Sequence, residues 1–380
     1  MALRLLHSAD WQIGRIYSQF EPDDAAALFE ARFLVVERLA ALAVEHNVDA
    51  VLVAGDVFDA QTVSDKTIRR LFNAMKGYTG HWVMLPGNHD AALAESVWTR
   101  AHRLGVIPPN VVTCLEPVVR IIGDQFAVLP APLVQRHTYG DLTQWFSSAS
   151  TPEGLHRIGL AHGCVQGVLA DELDSANPIA TGRAATAGLD YLALGDWHGT
   201  RCIDERTWYA GTPETDRFKA NDSGQALLVD IAAPGAVPQV RALQTGRYRW
   251  QQMDPRLAVP SDLEETLQAL ESTGPDDVLQ MRVSGVCDLN GQRRLQQGVE
   301  AARARLRALV HESHSLRLEP TQEDIESLHA DGYVGEVLQQ LRVEQDGPQA
   351  GLARDALVVL AGMLNELGSS PAAASQEARP

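Results

Sequence analysis

The chain has 380 residues, of which 45% are hydrophobic, and sets 32 Lys and Arg against 49 Asp and Glu for a formal net charge of -17. Its length suits one large domain with a smaller appendage. Its charge excludes a protein that grips phosphate backbones unaided, and residues 251–380, with 11 basic and 21 acidic side chains, carry most of the acid excess.

Cys114, Cys164, Cys202 and Cys287 form no CxxC pair, which argues against a disulfide framework or a thiolate zinc site and for a reducing cytoplasm. The N-terminus MALRLLHSAD has no apolar leader core. The apolar stretch ALVVLAGML near the C-terminus falls short of the roughly 20 residues that a membrane span needs. A soluble cytoplasmic protein with no membrane partner is expected.

From residue 3 to about 240, the runs RLLHSAD, DAVLVAGD, HWVMLPGN, QFAVLPAPL, RIGLAHG and YLALGDW alternate with helical patterns, as in a layered α/β domain. Between the first two, Phe29, Phe33, Val36, Leu39 and Ala43 recur at helical spacing over residues 22–46, with Pro22 suited to a first turn. The segments TRCIDERTWYAGT to VPQVRALQTG read as further strands, some antiparallel.

Near residue 250 the pattern changes. LQMRVSGV, a helix from Gln292 to about His311, and SLRLEP make a strand, helix, strand unit of a small α+β cap. Helices are expected over about 322–342 and 352–367, around the linker EQDGPQAG. Leu352, Ala356, Leu360, Met363, Leu364 and Leu367 form an apolar stripe on the last one, which either completes its own cap or docks on a partner. The expected organisation is a catalytic domain over 1–245, the cap over 246–345, the C-terminal helix over 346–367 and a disordered tail over 368–380.

Five segments carry the chemistry: Asp10 with Gln12; GDVFD, with Asp56 and Asp59; GNHD, with Asn88, His89 and Asp90; AHG, with His162; and GDWHG, with Asp196 and His198. Each follows a strand, where open α/β sheets build their sites. Carboxylate, amide and imidazole groups on separate loops at one sheet edge are what two divalent ions sharing a bridging carboxylate require. Taken singly, each segment reads equally as a turn or an interior histidine; their order carries the inference. His7 precedes its strand end and reads as structural.

The ordered set resembles the calcineurin-like metallophosphoesterases. LLHSADWQIG, GDVFD, LPGNHD and LALGDWHG followed by WYAGTPE resemble the SbcD-type DNA repair exonucleases, including the YhaO-like branch, over about residues 3–240. The resemblance implies a layered sandwich of β-sheets flanked by helices. It makes Asp10, Gln12, Asp56 and His198 the ligands of one metal and Asp56, Asn88, His162 and Asp196 those of the other. It makes His89 the residue that protonates the leaving alkoxide, with Asp59 orienting it. Asp90 then has a loop-stabilising part.

Gln12 and Asp196 stand where the family usually has histidine. Both still offer oxygen to a metal, so the site is read as retuned toward Mn²⁺ first and Mg²⁺ second, away from zinc. Asp10, Asp56 and Asp196 with a bridging hydroxide would neutralise two divalent ions. Arg15, Arg217 and Lys219 are the candidate substrate-binding cations that compensate, against a reading as solvated surface charge. The implied function is a metal-dependent DNA nuclease working with an SMC-like coiled-coil ATPase; homodimerisation stays open. Two other readings also stay open: a catalytically weak DNA-end or scaffold subunit, and a phosphodiesterase for small nucleotides.

Overall fold

The computed structural model describes residues 2–168, 177–321, 324 and 333–369. It divides into two compact units, one ending at Trp250 and the other starting at Gln251.

The first unit is built on two six-stranded sheets. One runs β14-β13-β1-β2-β3-β4, from β1 (Leu3–Ser8), β2 (Ala50–Ala54), β3 (His81–Leu85), β4 (Val111–Thr113), β13 (Gln225–Ile231) and β14 (Gln239–Gln244). The other runs β11-β12-β10-β7-β6-β5, from β5 (Arg120–Ile122), β6 (Phe126–Ala131), β7 (His156–His162), β10 (Tyr191–Gly195), β11 (Arg201–Asp204) and β12 (Thr207–Tyr209). The central strands β1 to β4 are parallel, as are β6, β7, β10 and β12, while β5, β11, β13 and β14 add antiparallel partners. A small pair, β8 (Cys164–Val165) with β9 (Pro178–Ile179), follows the end of β7.

Central strands buried on both faces need continuous apolar runs, and β2, AVLVA, is buried at every position. Alternation then sorts its side chains. Ala50, Leu52 and Ala54 face the core between the sheets with Leu5, Val83, Val128, Ile158, Leu160 and Ala193. Val51 and Val53 face a second core with Phe33, Val36 and Leu39 of α1 (Pro22–Glu45), Leu71 and Phe72 of α2 (Asp65–Ala74) and Trp98 of α3 (Val97–Arg103). On the far side of the second sheet, Leu129, Leu192 and Leu194 pack with Phe146, Leu189 and Ala184 of the short α4 (Arg183–Thr186). The layers are therefore helix, sheet, sheet and a mixed outer layer. α1 starts at Pro22 with Asp23 and Asp24 in its first turn, where fixed φ and negative charge both favour a helix N-terminus.

After β15 (Arg249–Met253), the second unit has β16 (Arg256–Leu257), β17 (Asp277–Cys287) and β18 (Ala308–Leu318) in parallel. Its helices α5 (Pro260–Glu271) and α6 (Leu289–Arg303) bury Leu263, Leu270, Leu295 and Val299 against Leu279, Met281 and Leu309. The helix expected to run to about His311 ends at Arg303. Residues from Ala308 instead pair with β17, Ala308 opposite Val278; ALV at residues 308–310 is a short continuous apolar run, which periodicity alone assigns to neither helix nor strand, and strand pairing decides. α5 was not anticipated from the sequence. Of the two later helices, the structure describes Tyr333–Glu344 and Ala350–Ser369; residues 322–323 and 325–332 of the first expected span and 370–380 of the expected tail lie outside the described residues. The expected stripe is not the buried face: Leu352 and Met363 are 66% and 58% exposed and Ala356 and Leu360 half-buried, while the helix buries Ala353 and Leu357, which lie off the stripe, and leaves Val359 56% exposed. The side chains of Leu364 and Leu367 lie outside the described set. Among the described residues, no helix is long and apolar enough to cross a membrane.

Candidate metal centre

All five segments reach one edge of the paired sheets, at the C-terminal ends of β1, β2, β3, β7 and β10. Four candidate ligands hold positive φ without being glycine: Asp10 (52°), Gln12 (50°), Asp56 (52°) and Asp196 (99°). Such backbone costs about 1–3 kcal/mol per residue and persists where surrounding structure fixes it, typically at functional sites. Here main-chain bonds fix it: the Asp10 amide donates to Gly55 O and the Gln12 amide to Asp56 O, both at 3.0 Å.

Two glycines let the loops close. Gly55 has φ of +92°, and a Cβ there would lie 2.2 Å from His162 Nδ1; a Cβ on Gly87 would lie 2.2 Å from Asp56 Oδ1. No side chain fits either gap.

Asp10, Asp56 and His162 are all buried and offer ligand atoms within 4.8 Å of one another. The Asp196 amide donates to both Asp10 oxygens, at 3.2 and 3.3 Å. His162 Nδ1 donates to Ala54 O at 2.8 Å, leaving Nε2 turned inward. Nε2 faces Asn88 at 2.8 Å, Asp56 Oδ1 at 3.6 Å and Asp196 Oδ1 at 3.7 Å. Gln12 Nε2 donates to Asp56 Oδ2 at 3.0 Å, while the buried Gln12 Oε1 has no partner. His198 Nε2 lies 4.0 Å from Asp10 Oδ1.

This donor set fits divalent cations. Gln12 Oε1 is a buried acceptor with nothing to accept, a costly state that a metal relieves. The charges agree. Burial raises Asp10 to about 6, with Asp56 and Asp196 adding to the rise and His198 and His162 opposing it. At His162 burial, which alone lowers the value, is outweighed by Asp56, Asp196 and Asp10, and the ring is pushed up to about 9. His162 keeps its proton against burial because three carboxylates surround it, and a cluster of that kind favours added positive charge.

His89 stands at the rim, 31% exposed, with Nε2 4.0 Å from Asp56 Oδ2 and its amide donating to Asp56 Oδ1 at 2.9 Å. Its Nδ1 lies 2.7 Å from the main-chain carbonyl of Asp59. The tautomer is thus held by the Asp59 backbone and not, as expected, by its carboxylate. Burial raises the Asp59 carboxyl, against Arg15, His89 and Arg32. Asp90 ties the loops together, accepting from the amides of Val57 (3.0 Å), Phe58 (3.2 Å) and Gly87 (2.7 Å). His7 is buried, with Nδ1 2.9 Å from the Tyr191 hydroxyl, away from the ligand set.

Of the three candidate cations, Arg217 reaches the centre, its Nη2 2.8 and 3.1 Å from the two ring nitrogens of His198. Arg15 Nη1 lies 3.0 Å from Asp216 Oδ2. Lys219 lies over the Trp197 ring, 4.6 Å from its centroid.

Sequence reasoning missed Asp216 and Arg32. His198 Nδ1 lies 3.1 Å from Asp216 Oδ2. Despite burial, His198, Arg32 and Arg217 hold the Asp216 carboxyl well below the usual carboxylate range. Arg32, fully buried on α1, donates to the Tyr17 hydroxyl at 2.8 Å and to Thr212 Oγ1 and Glu214 O at 2.9 Å. A signal existed: Arg32 sits three residues after Phe29 and four before Val36, a charge on the buried face of a helix.

The calcineurin-like phosphoesterase family model matches residues 3–229, which include every candidate ligand. The chain is similar to the SbcD subunit of the SbcCD nuclease of Escherichia coli K12, at 30% identity over 56% of this chain and 60% of that protein. It is similar to the corresponding SbcCD nuclease subunit of Bacillus subtilis, at 22% identity over 69% and 76% of the two chains. It is also similar to the DNA double-strand break repair protein Mre11 of Methanosarcina acetivorans, at 23% identity over 65% and 39%. The match thus spans about three-fifths of the length of the Escherichia coli relative. With the match covering more than half of the chain and all of its candidate centre, this protein belongs to the calcineurin-like phosphoesterases, hydrolases that work with divalent metal ions.

Proposed function

We propose that this chain hydrolyses phosphodiester bonds of DNA with two divalent ions, Mn²⁺ in preference to Mg²⁺, as the nuclease subunit of a complex with an SMC-like coiled-coil ATPase. One observation carries the chemistry: the buried Asp10, Asp56 and His162 offer ligand atoms within 4.8 Å of one another at one edge of the paired sheets, with the buried Gln12 Oε1 unpartnered beside them. The proteins it is similar to, named as nuclease and break-repair proteins, supply the substrate class.

Asp10, Gln12, Asp56 and His198 would hold one ion, and Asp56, Asn88, His162 and Asp196 the other, with Asp56 shared. Ions held there supply Lewis-acid stabilisation of phosphoryl charge and acidify the attacking water. His162 is committed by Ala54 O to presenting Nε2. The Asp196 amide steadies Asp10, and Asp90 keeps the Asp56 and Asn88 loops in register. With its Nδ1 held at the Asp59 carbonyl, His89 points Nε2 toward the ligand cluster at the rim and protonates the leaving oxygen there.

The acidic chain borrows its DNA affinity from the ATPase. The exposed apolar residues Leu352, Val359 and Met363 of the C-terminal helix are spaced to share one face and support docking of that helix on the partner. The test is to incubate labelled DNA hairpins and duplexes with the protein, alone and with the ATPase, in Mn²⁺, Mg²⁺ or EDTA. Cleavage in Mn²⁺ that EDTA abolishes is expected. DNA bound but never cut would favour a scaffold role.

A further inference from the structure

Asp216 lies in the loop between β12 and β13 and is 1% exposed. Four cationic or imidazole groups converge on it. Its Oδ2 is 3.1 Å from His198 Nδ1, 3.0 Å from Arg15 Nη1, 3.0 Å from Arg217 Nη2 and 3.9 Å from Arg32 Nη2, and its Oδ1 accepts from Arg217 Nε at 3.0 Å. A carboxylate placed only to anchor a loop needs one such partner. Moreover, the partners differ in depth: the Arg32 side chain is fully buried, Arg15 is 24% exposed and Arg217 is 41% exposed. The buried arginine braces the loop through Thr212 and Glu214 O, and the other two extend from the same carboxylate to the rim.

The ligand set gives this arrangement a purpose. Three carboxylates would offset most of the charge of two divalent ions held there, so attraction for an anionic diester would have to come largely from outside the ligands. Guanidinium groups match the paired oxygens of a phosphodiester, and one held at its rear by a carboxylate keeps free N–H groups to offer.

We propose that Asp216 is the positioning residue of this centre: it takes the Nδ1–H of His198, so that Nε2 faces Asp10, and it seats Arg15 and Arg217 to bind the non-bridging oxygens of the scissile phosphodiester. The proposal rests on the phosphodiesterase reading above. Without Asp216, His198 is free to rotate or change tautomer and the two arginines repel each other. The centre would then lose metal affinity and substrate affinity together, although Asp216 touches neither.

The test uses the full-length chain, Mn²⁺ titration by calorimetry, and steady-state hydrolysis of bis(p-nitrophenyl) phosphate and of a labelled DNA hairpin. Asp216→Asn keeps the shape and removes the charge; it should weaken Mn²⁺ binding roughly 10–100-fold, as loss of a group behind a ligand does, and raise KM. Arg15→Gln should bind Mn²⁺ as the parent does, Arg217→Gln, whose Nη2 lies against the His198 ring, within a few-fold of it, and each should raise KM by about 10-fold or more, the worth of a charge-assisted hydrogen bond to phosphate. A folded Asp216→Asn with parental Mn²⁺ affinity overturns the proposal, as does parental KM in both arginine variants. If Asp216→Asn does not fold, the two arginine variants, altered at the rim, decide alone. A parent that cleaves the small diester but no DNA defeats only the DNA assignment. If the parent cleaves neither substrate, the phosphodiesterase reading fails and the Mn²⁺ titrations decide the part of Asp216 at His198.

Discussion

Arg32→Met isolates what the buried guanidinium does for the first unit. Methionine fills most of the aliphatic path but donates nothing. Lost are the bonds to the Tyr17 hydroxyl, Thr212 Oγ1 and Glu214 O, at 2.8, 2.9 and 2.9 Å. Thr212 Oγ1 still donates to Glu214 O at 2.8 Å, so that carbonyl stays satisfied. Asp216 keeps Arg15, Arg217 and His198, so no buried carboxylate is stranded. Three hydrogen bonds from a charged donor at about 1.5 kcal/mol each, offset in part because a buried guanidinium no longer has to be desolvated, give a loss of about 3–4 kcal/mol. For a unit of this size each kcal/mol lowers Tm by roughly 2–4 °C, so a fall of about 6–16 °C is expected. Differential scanning calorimetry in EDTA measures it without the contribution of bound metal. Arg32→Lys, which keeps charge but lacks the fork, should fall between. A Tm within about 2 °C of the parent for Arg32→Met would refute the reasoning, since Arg32 would then brace nothing.

Three other variants probe the centre itself. Gly87→Ala places a Cβ 2.2 Å from Asp56 Oδ1 and 2.5 Å from the Asp56 amide nitrogen; a displacement of about 1 Å at Asp56 should lower turnover about 10²-fold, read by steady-state kinetics. His89→Asn should lower turnover about 10²- to 10⁴-fold with metal content intact, and metal loss on elemental analysis would mean that His89 is a ligand. Gln12→His with Asp196→His should shift preference from Mn²⁺ toward zinc in competitive refilling, because two oxygen donors become imidazoles; loss of all metal binding would show that these positions do not face the ions.

Much of the centre was legible in the linear chain because each donor follows a strand whose apolar run marks its end. LRLLHS before Asp10, AVLVA before Asp56 and YLALG before Asp196 place their carboxylates at one edge of the paired sheets, β1 and β2 in one sheet and β10 in the other. The cap was less legible. The run ALV at residues 308–310 is apolar at every position and extends the helical pattern before it, and only pairing with β17 makes it strand. His89 shows the limit at single atoms: the family resemblance implies that the Asp59 carboxylate orients its ring, yet the chain turns so that the Asp59 carbonyl meets Nδ1. Asp216 and Arg32 mark the boundary most clearly. They lie 184 positions apart in the chain, and either alone reads as a surface charge or a misplaced one. What sequence determined was which donors stand at strand ends, since local hydrophobic period sets where strands stop. Only the tertiary structure decided which buried charges neutralise one another, because that depends on distances between segments remote in the chain, and electrostatic pairing has no sequence period to reveal it.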